Sequence, residues 1–354
     1  MVANESSDWL NPSHEADFLI LTHRNFRAAV QPLAAARNAQ GLLTEVVTLE
    51  DVYDEINDGA PSARAVSQFL RWTYEKWQRA PRYVLLVGDA SYDPRNYLGY
   101  GNQNYAPTRL VTTPALETAS DEALVDFDGN GIGEMSVGRF PARTPEQVAT
   151  LVSKTLGYTP APDARGALLV SDNADGGLHA TAINNLRASL PVSMPVTYLA
   201  RGAQPDADLR TQLLAAINAG PSVVAYAGHG SSEVWTGAGL LQASDAAALT
   251  NGNRLPLVVS LTCLNGYFAV PSAESLAESL VKAPNGGAVA VWASSGLTIP
   301  PGQATMGQAL FQMLYGNSPA PLLGDAVRQA KRATMDSEVR QTWLLFGDPT
   351  LRIR

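Results

Sequence analysis

Ser222-Val-Val-Ala-Tyr-Ala-Gly-His-Gly-Ser231 and Leu255-Pro-Leu-Val-Val-Ser-Leu-Thr-Cys-Leu-Asn-Gly-Tyr-Phe268 are the stretches on which the fold turns. In each, a short apolar run ends in one chemically capable residue. Val223–Ala227 runs into Gly228-His229-Gly230, and Leu257–Thr262 runs into Cys263. Short Val-rich runs of this kind read as strands buried on both faces. Between them, the Ala-rich stretch Ala243–Asn251 ends in Asn-Gly and reads as a crossover helix. Strand, helix and strand then pair in parallel, with both C-terminal ends on one edge of the sheet. That edge is where open α/β sheets carry ligands and catalytic groups. The single Cys of the chain and one of its four His are thereby delivered side by side. A thiol beside an imidazole is the minimal apparatus for thiolate nucleophilic catalysis.

The same alternation extends outward. Asp17–Thr22, Leu43–Leu49 and Tyr83–Val87 read as strands, with helices at Phe26–Gln40, closed by Gly41, and Ser62–Arg79, whose apolar face is Val66, Phe69, Leu70, Thr73 and Trp77. This β-α-β-α-β order predicts a parallel sheet. Residues 90–133 break the pattern; a loop of that length is usually functional or metal-stabilised. Glu134–Arg139 returns as a strand and Thr144–Tyr158 as a helix with Thr144 as N-cap. The Pro-rich Thr159–Asp163 then marks a boundary between an N-terminal α/β subdomain, 17–160, and a catalytic one, 161–354; residues 1–16 read as a leader or linker. The second series has strands at Ala167–Ser171, Val196–Leu199 and Gly287–Ala293. Its helices fall at Leu178–Leu190, Asp206–Asn218, Ser272–Lys282 with Ser272 as N-cap, Gln303–Tyr315 and Pro321–Thr334, and the chain closes on the apolar segment at Thr342–Thr350. The fold class is α/β, in two subdomains with mostly parallel sheets.

Composition narrows the function. Of 354 residues, 45% are hydrophobic and 16% charged, a globular balance. The net charge of −8, without a Lys/Arg cluster, argues against a nucleic-acid partner. One Cys excludes an internal disulfide, and neither Cys-x-x-Cys nor His-Glu-x-x-His is present. No apolar run approaches the ~18 residues of a membrane span. Met1–Trp9 is polar and acidic, unlike a signal peptide, so the chain reads as cytoplasmic or as a domain of a larger exported protein. There is no Gly-x-Ser-x-Gly elbow, no Gly-Lys of a P-loop and no complete dinucleotide fingerprint.

Acyl transfer assigns the roles. Cys263 as thiolate attacks a scissile carbonyl; His229 protonates the leaving amine and helps deprotonate the thiol. The backbone N–H groups of Gly230 and Cys263 are the natural oxyanion donors. The competing reading of either residue alone is a structural His and a buried Cys. His179, at a helix start, reads as a surface residue; His14 and His23 carry no assignment. Asp126-Phe-Asp-Gly-Asn-Gly-Ile-Gly-Glu134 sets Asp126, Asp128 and Asn130 at positions 1, 3 and 5, Gly131 at 6 and Glu134 at 9, an oxygen set suited to Ca²⁺, although position 12 is Val137. Asp89 and Asp93 offer a metal-facing or a turn role.

The blocks Tyr-Ala-Gly-His-Gly-Ser (226–231), Cys-Leu-Asn-Gly-Tyr-Phe (263–268), Gly-Gly-Ala-Val-Ala-Val-Trp-Ala-Ser (286–294) and Leu-Phe-Gly-Asp-Pro-Thr (345–350) resemble the gingipain family of cysteine peptidases. So do Leu-Leu-Val-Gly-Asp (85–89) and Val-Gly-Arg-Phe (137–140). The resemblance runs in order from about Asp17 to Arg354. It implies a caspase-like α/β/α sandwich, His229 and Cys263 as the dyad, bound calcium, and a secreted or surface endopeptidase acting on protein or peptide substrates. The best-known members cleave after Arg or Lys, with an acidic residue at the base of the S1 pocket. The corresponding connection here, Asp172-Asn-Ala-Asp-Gly-Gly177, is shorter and offers Asp175 first and Asp172 second; Ser294 is expected beside the same pocket. The Trp that covers S1 in the family has no counterpart in Ser295–Pro300, which leaves basic specificity open. A sortase-like transpeptidase and a catalytically silent scaffold are the rival readings.

Overall fold

The computed structural model describes residues 6–173, 175–316 and 320–354. Ten strands form one sheet: β1 (Phe18–Thr22), β2 (Thr44–Thr48), β3 (Tyr83–Val87), β4 (Ser136–Phe140), β5 (Ala167–Ser171), β6 (Val196–Ala200), β7 (Val223–Ala227), β8 (Leu257–Leu261), β9 (Ala290–Ser294) and β10 (Trp343–Phe346). Their spatial order is β2-β1-β3-β4-β10-β9-β8-β7-β5-β6. Every pairing is parallel except that of β10 with β9. Strands from before residue 160 make one end of the sheet and strands from after it the other.

Helices cover both faces. On one lie α1 (Arg27–Ala39), α4 (Pro145–Gly157), α6 (Asp206–Asn218) and α7 (Leu276–Lys282), packed on Ile20, Leu85, Val170, Tyr226 and Phe346. The opposite face carries α2 (Leu49–Ile56) and α3 (Ala63–Lys76) over the N-terminal strands. Over the C-terminal strands it carries α5 (Leu178–Ala188), α8 (Pro300–Phe311) and α9 (Leu323–Arg332). Alternate strand residues serve the two faces, so inner strands such as β3 and β7 are apolar throughout, as parallel strands between two helix layers tend to be. Residues 7–16 lie against α2 and α3: Trp77 Nε1 donates to the Trp9 carbonyl at 3.0 Å, and Glu55 accepts from Trp9 N–H at 3.0 Å.

The seam between the halves depends on close backbone approach. A Cβ at Gly138 would lie 2.3 Å from the Gly347 carbonyl, and Gly347 itself has φ 147°. Both positions therefore require glycine. Across the seam, Arg37 in α1 donates to Asp348 at 2.6 Å, Tyr83 donates to Asp325 at 2.6 Å, and Lys331 pairs with Glu122.

Two expectations change. The stretch Ala243–Asn251 is not a crossover α-helix but a 3-10 helix, Ala243–Ala248, preceded by a small hairpin that pairs Val234–Trp235 with Leu241–Gln242. Asp245 turns back to accept the Gln242 N–H at 2.8 Å and also binds Arg210, which closes the turn early. The N-cap of α7 is Ser275, not Ser272: Ser275 and Glu278 form a reciprocal capping box. The closing apolar run at 342–350 contributes β10, an antiparallel strand in the middle of the sheet. Residues 90–133 hold a hairpin, Arg109–Thr112 with Glu117–Ser120, and a helical turn at Glu122–Val125.

Candidate active site

Strands β7 and β8 are in register, with Ala227 opposite Leu261. Each chain continues two residues beyond that pair, to His229 and to Cys263, so both leave the same edge at the same height. Gly230 crosses directly over the second strand end. A Cβ there would lie 2.6 Å from Thr262 Oγ1 and 3.2 Å from the Cys263 carbonyl. Gly228 is equally confined, at 2.1 Å from the Tyr226 hydroxyl. The two glycines thus let the His loop settle onto the Cys loop.

A buried relay locks the loops together. Tyr226 donates its hydroxyl to the His229 carbonyl at 2.7 Å and stacks on Trp235 at 4.3 Å between ring centres. Trp235 Nε1 donates to Asn265 Oδ1 at 2.8 Å, and Asn265 Nδ2 donates to the Ser231 carbonyl at 2.7 Å. Asn265 is fully buried, so these bonds are costly to break. Read from sequence, Asn265 was only part of a turn signal and Trp235 carried no role. The Asn-Gly after the Cys held the clue to Asn265; nothing local marked Trp235.

Leu264, just after Cys263, has φ 61°. A non-glycine residue held in the left-handed region costs ~1–2 kcal/mol. The turn is held by Leu264 N–H to the Gly296 carbonyl at 3.1 Å and Gly266 N–H to the Ser294 carbonyl at 2.8 Å. The half-buried Cys263 Sγ donates to the Thr298 carbonyl at 3.4 Å, and burial pushes the thiol pKa up from its ordinary value. Burial thus favours the neutral thiol over the thiolate. No acceptor among the described residues takes the backbone N–H of Gly230 or of Cys263.

His229 has a side chain 59% exposed, with Nε2 3.1 Å from Asp175 Oδ2. The same oxygen lies 3.2 Å from His179 Nε2. His179, expected on the surface, is 3% exposed and meets the His229 ring edge-on at 5.5 Å. It starts α5, which packs under the end of β7, a tertiary placement that helix periodicity does not reveal. Asp172 is 2% exposed; its Oδ1 accepts from Arg201 at 3.1 Å and its Oδ2 lies 3.4 Å from the His229 N–H. Its charge is matched and its side chain holds the His loop, so it presents no free carboxylate to a substrate. Ser294 is fully buried, with its hydroxyl turned to Gly296 and to Thr342 at 3.1 Å. Of the connection 172–177, Ala174 lies outside the described residues.

In the acidic loop, the carboxylate oxygens of Asp126, Asp128 and Glu134 lie within 4.8 Å of one another. Asp126 accepts from the N–H groups of Gly129, Asn130 and Gly131, which folds the loop around its own carboxylates. Asn130 turns its side-chain carbonyl to the Ile132 N–H at 2.9 Å and donates its amide to Asp128 at 2.8 Å. The carboxylates suit a hard cation, and Asn130 lies beside them. Asp89 pairs with Arg143 at 2.6 Å and Asp93 accepts from Tyr97 and Leu98 N–H, both closing local structure.

A fold of this topology with a His and a Cys at adjacent strand ends defines a class, and the chain belongs to peptidase family C25, whose model matches residues 11–354. It is 27% identical to Gingipain R2 of Porphyromonas gingivalis over 95% of this chain and 46% of that protein. To Gingipain R1 of the same organism it is also 27% identical, over 95% of this chain and 34% of that protein. The chain thus spans less than half the length of these relatives. Its fold is that of the Arg specific cysteine proteinase gingipain R, with TM-score 0.81 at 24% identity over 97% of this chain and 80% of that one. Dimeric latent PorU from Porphyromonas gingivalis shares the fold at TM-score 0.52 and 18% identity, over 97% of this chain and 30% of that one. Among the described residues no helix is long and apolar enough to cross a membrane.

Proposed function

We propose that the chain is a cysteine endopeptidase in which Cys263 is the nucleophile and His229 the general acid and base. The observation that carries this is the register of β7 and β8, which sets His229 and Cys263 at one sheet edge, beside two backbone donors that no acceptor among the described residues takes. The substrate carbonyl oxygen is received by the N–H groups of Gly230 and Cys263. The Cys263 proton passes to His229 as Sγ bonds to the carbonyl carbon, and negative charge collects on the oxygen between the two donors. The oxyanion collapses as His229 protonates the departing amine, leaving a thioester. Water, deprotonated by His229, then releases the acid and restores the thiol.

Residues 172–177 supply one exposed carboxylate, Asp175, and it already faces His229. It acts on a basic P1 side chain only if it serves both partners, and so selectivity for Arg or Lys is weaker here than the family pattern implies. Relatives fitting a secreted or surface setting support placing this chain there too. Asp126, Asp128 and Glu134 are assigned to a structural Ca²⁺; a melting temperature unmoved by EDTA counts against that assignment.

The deciding experiment is mass spectrometry after incubation with acyloxymethyl-ketone peptides bearing Arg, Lys, Leu or Asp at P1. One adduct on Cys263, absent in Cys263→Ala, is expected. Turnover surviving in Cys263→Ala would overturn the nucleophile.

A further inference from the structure

We infer that Asp175, His179 and His229 form a zinc-binding site, a zinc-dependent off switch that captures the general base. The inference uses the reading of His229 given above only for its consequence; the site itself stands on geometry.

Asp175 Oδ2 lies 3.1 Å from His229 Nε2 and 3.2 Å from His179 Nε2. Neither approach has the direction of a hydrogen bond. His179 Nε2 in particular is buried without a hydrogen-bond partner among the described residues, in a side chain 4% exposed. An unsatisfied imidazole nitrogen in the interior is costly, and this one lies within a zinc-ligand edge of the shared oxygen. Zinc bonds of ~2.0–2.1 Å at the tetrahedral angle set neighbouring ligand atoms ~3.3 Å apart. The two observed nitrogen–oxygen separations match that edge, and all three ligand atoms lie within 4.8 Å of one another. The remaining edge, between the two imidazole nitrogens, is no longer than 4.8 Å, and the exposed His229 ring is free to adjust it.

Two imidazoles and one carboxylate are a donor set that zinc prefers and calcium does not. The exposure of Asp175 and His229 gives the ion a path in and leaves the fourth position to water. Bound there, zinc occupies the nitrogen lone pair of His229, which can then no longer take the Cys263 proton. The fold stays intact because His179 is satisfied by the metal instead of being orphaned. Removal of the metal restores the base.

Calorimetry with Zn²⁺ and the visible absorption of a Co²⁺ adduct test this on the whole chain without reference to turnover. One ion per chain is expected, with the intense absorption of four-coordinate cobalt, and Cys263→Ala should retain both. His179→Gln and His229→Ala should each weaken binding by at least ~10-fold, since even outer partners of a metal ligand carry that much. His229 is exposed, so its variant keeps the fold if His179→Gln does not. In the wild type, labelling of Cys263 should slow when Zn²⁺ is added and recover with chelator. No binding by either method, binding unchanged in both His variants, or binding lost in Cys263→Ala would each overturn the site. Binding as expected with no adduct on Cys263 under any condition would leave the metal site standing and sink the peptidase reading instead.

Discussion

The two ends of the sheet treat the same kind of residue in opposite ways. In the N-terminal half, charge near the strand ends is sealed in. Arg139 in β4 is fully buried, donating twice to Asp121 at 2.7 Å and to the carbonyls of Gly88 and Ala106, with the Phe268 ring 4.8 Å away. Asp89, just past β3, is fully buried against Arg143. In the C-terminal half, β7 and β8 end in an exposed imidazole and a half-buried thiol, with donors left open. Every polar atom of Arg139 is spoken for, whereas His229 and Cys263 retain unspent capacity. Charge in an α/β sheet therefore divides into groups that hold the fold and groups that await a ligand, and satisfaction of bonding separates them better than residue type does.

Four measurements press on that division. His229→Ala should lower turnover by ~10²–10⁴-fold, the usual worth of a general acid–base group, with an unchanged unfolding midpoint because the ring is exposed; a large loss of stability would place His229 with the structural groups. Arg139→Ala should cost ~3–5 kcal/mol of stability by stranding Asp121 in the interior, seen as a lowered denaturant midpoint; a midpoint equal to wild type would break the contrast from the other side. Gly230→Ala forces Cβ against Thr262 Oγ1. It should reduce turnover by ~10²-fold through misplacement of the oxyanion donor and lower the denaturant midpoint by the ~1–3 kcal/mol that overpacking costs. Finally, alkylation of Cys263 should speed up with pH, by up to ~10-fold per unit, through and beyond the ordinary thiol range near ~8.5. The sign follows from burial: the folded protein favours the neutral thiol, so the reactive thiolate appears only as pH rises past that raised value. A rate already flat at neutral pH would mean a pre-formed ion pair and a different resting state.

Much of this was legible from the chain. Tyr83–Val87, Ala167–Ser171, Val223–Ala227 and Asp206–Asn218 have the bounds that their apolar runs and flanking turns indicate. The His and Cys could be placed on one edge because parallel pairing fixes where strand ends lie. What was not legible depended on distance in sequence. The direction of β10 cannot be read from a uniformly apolar run, since both pairings bury the same side chains. The 3-10 turn at Ala243–Ala248 is set by Arg210 reaching Asp245 from α6. The depth of His179 is set by the packing of α5 beneath β7. Ser275 is a different case: its Glu three residues on was visible, and Ser272 lacked one.

The central position of β10 has a consequence for how the molecule comes into being. Trp343–Phe346 is the last of the ten strands in sequence order, yet it lies between β4 and β9. Until it arrives, the nascent chain is two part-sheets with unpaired edges facing each other, joined only by long-range closure that is slow to form. The Ser295 amide hydrogen-bonds to Thr342 at 2.8 Å and the Gly296 carbonyl receives Leu264, so the turn carrying Cys263 gains its final support only as that strand seats. Synthesis order thus acts as a timer: the edge that carries His229 and Cys263 is completed only when the last of the ten strands seats between the two part-sheets.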